Sequence, residues 1–378
     1  MKQKNLVWVA LAAILFAITT PVSVVAQPVP YEIEEVAGDL NHPWSIAFLP
    51  DGDMLVTERA GRLRRISNGQ LLEGSISGVP EVFEQSQGGL FDVVLHPEFA
   101  ENSIVYLTYA WGDLDGNATR LVRARLEGNS LQDLEVLFTP NLLKRTAVHY
   151  GGRMAFLGDG TLLLTLGDGF DYREQAQVTS NHLGASIRLN DDGTVPEDNP
   201  FYGRDGVLEE IWSIGHRNPQ GLTVDPVTGR VFQHEHGPAG GDELNLLEPG
   251  FNYGWPITTD GMDYTGALVT PYTEYPGMAE PQHHWTPSIA PSGLTIYRGT
   301  MFPEWDGDIF VGALKIPAEG NSVGRIHHLD MDESEVVGEE FVFPEITVRI
   351  RDIRTAPDGS IYILTDEDEG RVLRISRP

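Results

Sequence analysis

The chain has no cysteine among its 378 residues. Disulfide staples, thiolate metal ligands and thiol nucleophiles are therefore excluded, and stability must come from a buried core. Basic residues are scarce: 26 Lys and Arg stand against 55 Asp and Glu, a formal net charge of −29. So acidic a chain repels polyanions, which excludes nucleic acid and anionic membrane surfaces as partners. Long helical periodicities are missing after residue 26. Glycine (41) and proline (25), by contrast, are plentiful, and many short strands joined by turns are the expected architecture.

Residues 1–26 stand apart. Lys2 and Lys4 precede an apolar run from Leu6 to Ile18, and Val24-Val25-Ala26 ends the segment in small residues. This is the pattern of a secretory signal peptide cleaved near Ala26–Gln27, with the mature chain periplasmic or secreted and not inserted in the membrane. The alternative, an uncleaved anchor, is disfavoured because the run falls short of the ~20 residues that span a bilayer.

From Tyr31 onward one pattern returns six times: a small or apolar strand, a turn rich in Asp, Pro and Gly, and a second apolar strand. His42–Glu58 is the first instance, followed by units opening at Gly89, Gly151, Gln220, Ser292 and Ile350. Spacings of roughly 45 to 70 residues suit four-stranded units with variable loops. Residues 27–378 are therefore expected to form one all-β domain, a six-bladed β-propeller of four-stranded antiparallel blades. A β-sandwich with extra strands explains the self-similarity less well. The similar stretches Arg62–Ile66 and Arg371–Ile375 are each expected to finish a blade. Three inserts, Phe170–Phe201, Leu247–Pro287 and Lys315–Gly324, exceed simple hairpins and are expected to be functional loops.

Polar residues cluster where strands would approach a propeller axis. Gln87 precedes Gly88-Gly89, His149 precedes Gly151-Gly152-Arg153, and Arg217-Asn218 precedes Gln220-Gly221. Their equivalent places in consecutive blades predict convergence at one channel mouth. Lys315 ends an apolar strand, and Arg349 and Arg351 alternate, so they share one strand face. Buried arginines demand anions, and with Arg217 they could hold a ligand carrying several carboxylates or phosphates. Surface pairing with the acidic shell is the competing reading. Near Gly237-Pro238, carbonyls followed by Asp242 and Glu243 offer hard oxygen donors that suit calcium, with the Tyr253 carbonyl a further candidate. The pair His234 and His236 offers zinc instead, without a third evident ligand. Asp113-Leu-Asp-Gly116 opens like a calcium loop but lacks the distal Glu, and is read as a turn.

In combination these motifs resemble the soluble glucose/sorbosone dehydrogenases, most closely the aldose sugar dehydrogenases that use pyrroloquinoline quinone (PQQ). The resemblance rests on His42-Pro-Trp44, Gln87-Gly-Gly89, His149-Tyr-Gly-Gly-Arg153, Gly215-His-Arg-Asn-Pro-Gln220, His236-Gly-Pro238, Asp242-Glu-Leu-Asn245, Asn252-Tyr-Gly-Trp-Pro256, Leu314-Lys315 and Arg349-Ile-Arg-Asp352. It implies a six-bladed propeller in which His149 takes the proton from the anomeric hydroxyl of an aldose and hydride passes to the quinone. It further implies that Gln87, Arg217, Asn218, Tyr264, Ala313, Leu314, Lys315, Arg349 and Arg351 hold PQQ, with Arg217 also assisting the chemistry. Gly237 and Pro238 match carbonyl ligands of the cofactor's calcium, and Glu243 and Tyr253 match a second Ca2+ site. Electrons would leave to a quinone, cytochrome or dye acceptor. Two positions depart from the family pattern: Val148 where glucose-oxidising relatives have an acid, and Ala185 where a lysine is common. Two other functions compete, a calcium-dependent lactonase on the same fold and a non-catalytic sugar- or protein-binding propeller.

Overall fold

The structure, a computed structural model, describes residues 29–317 and 323–378; the expected signal peptide lies outside the described residues. Among them, helix is confined to Phe99–Asn102 and two short 3-10 turns. The strands form six four-stranded antiparallel sheets. Their innermost strands are Pro43–Phe48, Leu90–Leu95, Gly151–Phe156, Pro219–Val224, Pro291–Ile296 and Ile350–Thr355. Each packs against the next, and the sixth packs against the first. That is a six-bladed β-propeller, as the repeats predict.

Second strands read as continuous apolar runs because neighbouring blades cover both their faces. Leu162–Leu166 and Ile309–Ala313 are buried along their whole length, whereas the outermost strand Glu335–Val342 is largely exposed. The core is accordingly divided into layers between blades. One layer joins Leu55 and Leu63 of blade 1 to Val93 and Leu107 of blade 2. Another stacks Tyr297, Phe302 and Phe310 of blade 5 against Ile353 and Ile363 of blade 6. Side chains from second strands also latch across the gaps. Thr57 donates to the Phe91 carbonyl and Thr108 to the Gly152 carbonyl, both at 2.6 Å, and His234 Nε2 bonds the Gly293 carbonyl at 3.2 Å.

Every inner strand carries an irregularity at the same place, between Pro43 and Ser45, Leu90 and Val93, Gly151 and Met154, Pro219 and Gly221, Pro291 and Leu294, and Ile350 and Asp352. A bulge aims two consecutive side chains where regular pleating would aim one. Trp44, Phe91, Gln220 and Arg351 thereby line the upper channel. Asp92 and Asp352, which follow two of them, meet Arg153 and Arg354 lower down. Arg153 lies 3.1 Å from Asp352 and 3.6 Å from Asp92, and Arg354 pairs with both carboxylates. This quartet, buried but for the partly exposed Arg354, plugs the axis.

Two expectations need correction. Arg62–Ile66 and Arg371–Ile375 are equivalent, but each lies in a third strand and not the last. The outermost strand of the first blade is the short Gln70–Leu71, and that of the sixth is Glu32–Leu40 from the other end of the chain, with Glu32 facing Ser376. Nor is Phe170–Phe201 one loop, since it contains the 3-10 turn Arg173–Gln177 and the third strand Ala185–Leu189. Leu247–Pro287 does run as a long excursion from Asp242–Leu246 to the edge strand His283–Trp285. Lys315–Gly324 lies between Ile309–Ala313 and Ile326–Asp332, and its residues 318–322 are outside the described residues. Asp113 closes a turn, accepting the Asp115 and Gly116 amides.

Candidate active site

At the mouth of the axis lies a cavity of about 300 Å³. The residues that enter the inner strands surround it: His42, Gln87, Asn218 and Arg349 all line it, together with Arg59, Arg351, Leu314 and Asp366. Arg349 and Arg351 both reach the Asp366 carboxylate, at 2.7 and 3.1 Å. These cations hold Asp366 far below the usual carboxylate range against the opposing effect of burial, and His42 Nδ1 bonds its other oxygen at 3.1 Å.

His149 sits beside this cavity in a left-handed conformation, φ +53°. Its amide donates to Gln87 Oε1 at 2.7 Å, so the residue entering blade 2 fixes the one entering blade 3. Nδ1 lies 2.7 Å from Asp168 Oδ1. Asp168 is itself held by Trp255 Nε1 and the Phe170 amide, each at 2.8 Å. An ionised, fully buried Asp168 makes Nδ1 the protonated nitrogen and leaves Nε2 as the basic one. Burial pushes the His149 pKa below 6.5; the Asp168 hydrogen bond opposes this, and the Arg217 charge adds to the lowering. The departure at Val148 is thus made good: the orienting carboxylate comes from the end of the adjacent strand.

A second cavity of about 380 Å³ adjoins the first, lined by Phe170, Arg173, Arg217, Pro238, Trp255 and Tyr264. The Phe170 ring meets His149 edge-on at 5.2 Å and stacks with Tyr264 at 6.2 Å. Arg217 spans the two regions. Its Nη1 donates to the His236 and Gly237 carbonyls at 3.0 and 2.6 Å, and its Nη2 lies 3.3 Å from the Tyr264 hydroxyl. Gly237 admits no side chain, because a Cβ would fall 2.2 Å from the Gly241 carbonyl oxygen.

Residues 40–374 match the family model for Glucose / Sorbosone dehydrogenase. The chain belongs to this family. It is 46% identical over 359 residues to an uncharacterized protein of Synechocystis sp., covering 90% of this chain and 85% of that one. It is 38% identical to the aldose sugar dehydrogenase YliI of Escherichia coli, covering 93% of this chain and 94% of the relative. Among solved structures, the PQQ-bound aldose sugar dehydrogenase of Streptomyces coelicolor superposes with a TM-score of 0.73 at 26% identity, over 93% of this chain and 99% of that one. As a member of this sugar dehydrogenase family, the protein is an oxidoreductase built on the propeller.

The structure brings most of the sequence-predicted residues together, though not all. Gln87, Asn218, Leu314, Arg349 and Arg351 line the axial cavity, and Arg217, Pro238 and Tyr264 line the neighbouring one. His149 lies buried between and lines neither, with the exposed Phe170 beside it. Lys315 is partly buried two residues beyond the strand Ile309–Ala313, not at its end as expected, and lines neither cavity; Ala313 is fully buried within the blade. Glu243 and Tyr253 lie apart from both cavities. Asn245 Nδ2 links Glu243 to the buried Glu235, and Tyr253 stacks on His216. The zinc alternative fails on geometry: His234 and His236 spend Nε2 on the Gly293 and Pro291 carbonyls.

Sequence reasoning missed Asp168, Asp366 and Arg59. A signal for the two carboxylates was present in the repeats, because second strands exit on an acid in four blades. Glu58 receives the Asn41 amide, Asp168 the His149 ring, Glu235 the Arg217 amide and Asp366 the Arg349 guanidinium. Each braces the entrance of its own blade's inner strand.

Proposed function

We propose that this protein is a periplasmic or secreted, PQQ- and calcium-dependent dehydrogenase that oxidises aldoses at the anomeric carbon to aldonolactones. One observation carries the reading: in a chain so short of positive charge, arginines collect around an axial cavity beside a buried histidine whose tautomer is fixed. PQQ, when bound, supplies the hydride acceptor. Its three carboxylates call for cations, which Arg349 and Arg351 supply within the cavity, with Gln87, Asn218 and Leu314 shaping it and Arg217 and Tyr264 closing its mouth.

His149 takes the anomeric hydroxyl proton on Nε2, and Asp168 stabilises the imidazolium so formed. Arg217 brings a fixed positive charge to the same mouth, where it favours negative charge developing in the transition state. The donor set fits calcium: the Gly237 carbonyl already faces a positive group, the Arg217 guanidinium, and Pro238 lies beside it. Glu243 and the Tyr253 carbonyl would take a second calcium. There the Asn245 Oδ1 atom is buried without a hydrogen-bond partner, and burial together with the Glu235 charge raises the Glu243 pKa, the setting in which a cation is welcome. Among the described residues no three His, Asp or Glu side chains converge in a metal-ligating group, so backbone carbonyls must complete either site. The lactonase alternative needs an acidic cage on the axis, and the axial acids Asp92 and Asp352 are already neutralised by Arg153 and Arg354.

Incubation of the apo-protein with PQQ and calcium should yield dye reduction with glucose or xylose. Failure with every aldose would sink the proposal. The Asp168→Asn variant gives a pH test with a defined sign. Asp168 raises the His149 pKa against its burial, so removing its charge lowers that pKa further. The acid limb of kcat/KM should move to lower pH while the rate falls on the order of 100-fold. An acid limb moving to higher pH would contradict the assignment.

A further inference from the structure

A third arginine lines the axial cavity, and the roles described so far leave it unused. Arg59 follows the second strand of blade 1 and shares the cavity with Arg349 and Arg351. Its Nη1 donates to the Ser86 carbonyl at 2.7 Å, while its Nε is buried with no hydrogen-bond partner. The acid next to it, Glu58, is already taken by Arg62, Arg64 and the Asn41 amide. Beyond His42, the single carboxylate of Asp366 serves both Arg349 and Arg351. Three guanidinium groups therefore face one cavity with one carboxylate among its lining residues. A partly buried guanidinium without a counter-ion is costly, and its planar fork matches a carboxylate.

The position of Arg59 is built and not incidental. Its amide donates to the His42 carbonyl and its own carbonyl receives the Leu90 amide, so the backbone is clamped between blades 1 and 2. Gly89 packs so closely that a Cβ there would fall 2.6 Å from the Arg59 Cγ. Backbone bonds survive a side-chain substitution, which makes the site testable.

We propose that Arg59 is an anion-binding residue of the axial cavity, holding one carboxylate of the cofactor from the blade 1 side while Arg349 and Arg351 act from blade 6. The proposal rests on the PQQ reading above. The test is equilibrium titration of calcium-loaded apo-protein with PQQ, followed by intrinsic tryptophan fluorescence and by calorimetry, without turnover. Arg59→Gln should weaken PQQ binding about 10- to 100-fold and flatten its salt dependence. Its thermal midpoint without PQQ should stay within about 2 °C of the parent, and the surface variant Arg230→Gln should bind like wild type. Should Arg59→Gln not fold, Arg59→Lys carries the test: it keeps the charge and loses the fork, so several-fold weaker binding is expected. Wild-type affinity in either variant overturns the assignment of Arg59 alone. Absence of PQQ binding by the unmodified protein overturns the cofactor reading and this inference together.

Discussion

Replacing His149 should abolish most sugar oxidation, about 10²- to 10⁴-fold in kcat, while PQQ affinity stays nearly unchanged. The size of the effect follows from the site's division of labour. Arginines, backbone carbonyls and Asn218 can bind without the histidine, but among the described residues no other base is both oriented by a buried carboxylate and beside both cavities. Alanine is an imperfect substitute because residue 149 holds φ +53°, a conformation alanine adopts only with strain. Asparagine tolerates it and cannot accept the proton. His149→Asn should therefore match His149→Ala in lost turnover while keeping the parent thermal midpoint. Activity recovered in the asparagine variant would mean that the histidine serves shape and not proton transfer.

Arg153→Met should be the most destabilising single change, about 3–5 kcal/mol, seen as a fall in thermal midpoint of roughly 5–10 °C. Arg153 is 1% exposed, lies over the Trp44 ring at 4.0 Å and donates through Nε to the Gln220 carbonyl at 2.8 Å. Methionine fills much of the volume but leaves Asp92 and Asp352 sharing only Arg354. The penalty is that of an uncompensated buried carboxylate, so Arg153→Met/Asp352→Asn should recover a good part of it. If the double variant is no more stable than the single, packing against Trp44 and not charge explains the loss.

The repeats made the blades legible because each unit announces itself with an apolar run, a turn and a second apolar run, the turn being Asp-Gly in four of the six. The bulges were not legible, since a one-residue slip leaves no periodic trace, yet they decide which side chains reach the axis. Gln87, His149 and Asn218 were found through their equivalence at strand entrances. Asp168 escaped because its partner lies 19 residues away in sequence and nothing in Thr165-Leu-Gly-Asp168 marks it as more than a turn. Arg59 in Thr57-Glu-Arg-Ala-Gly61 reads as a strand end, and only the fold reveals the cavity it faces. Lys315 shows the converse: its place after an apolar strand is correct, and its side chain still stands outside both cavities.

The pairing of Glu32–Leu40 with Gly370–Ser376 has a kinetic consequence. Of the described strands, the first to be synthesised pairs with the last, so until then it waits as an open edge. Contacts so distant in sequence form slowly, and exposed apolar edges invite intermolecular pairing meanwhile. Glu32, Glu34 and Glu35 make this edge self-repelling between copies. When the last strand arrives, Arg374 comes within 3.8 Å of Glu34 and Arg371 within 3.9 Å of Glu35. The charges that keep the waiting strand from strangers also select its own partner.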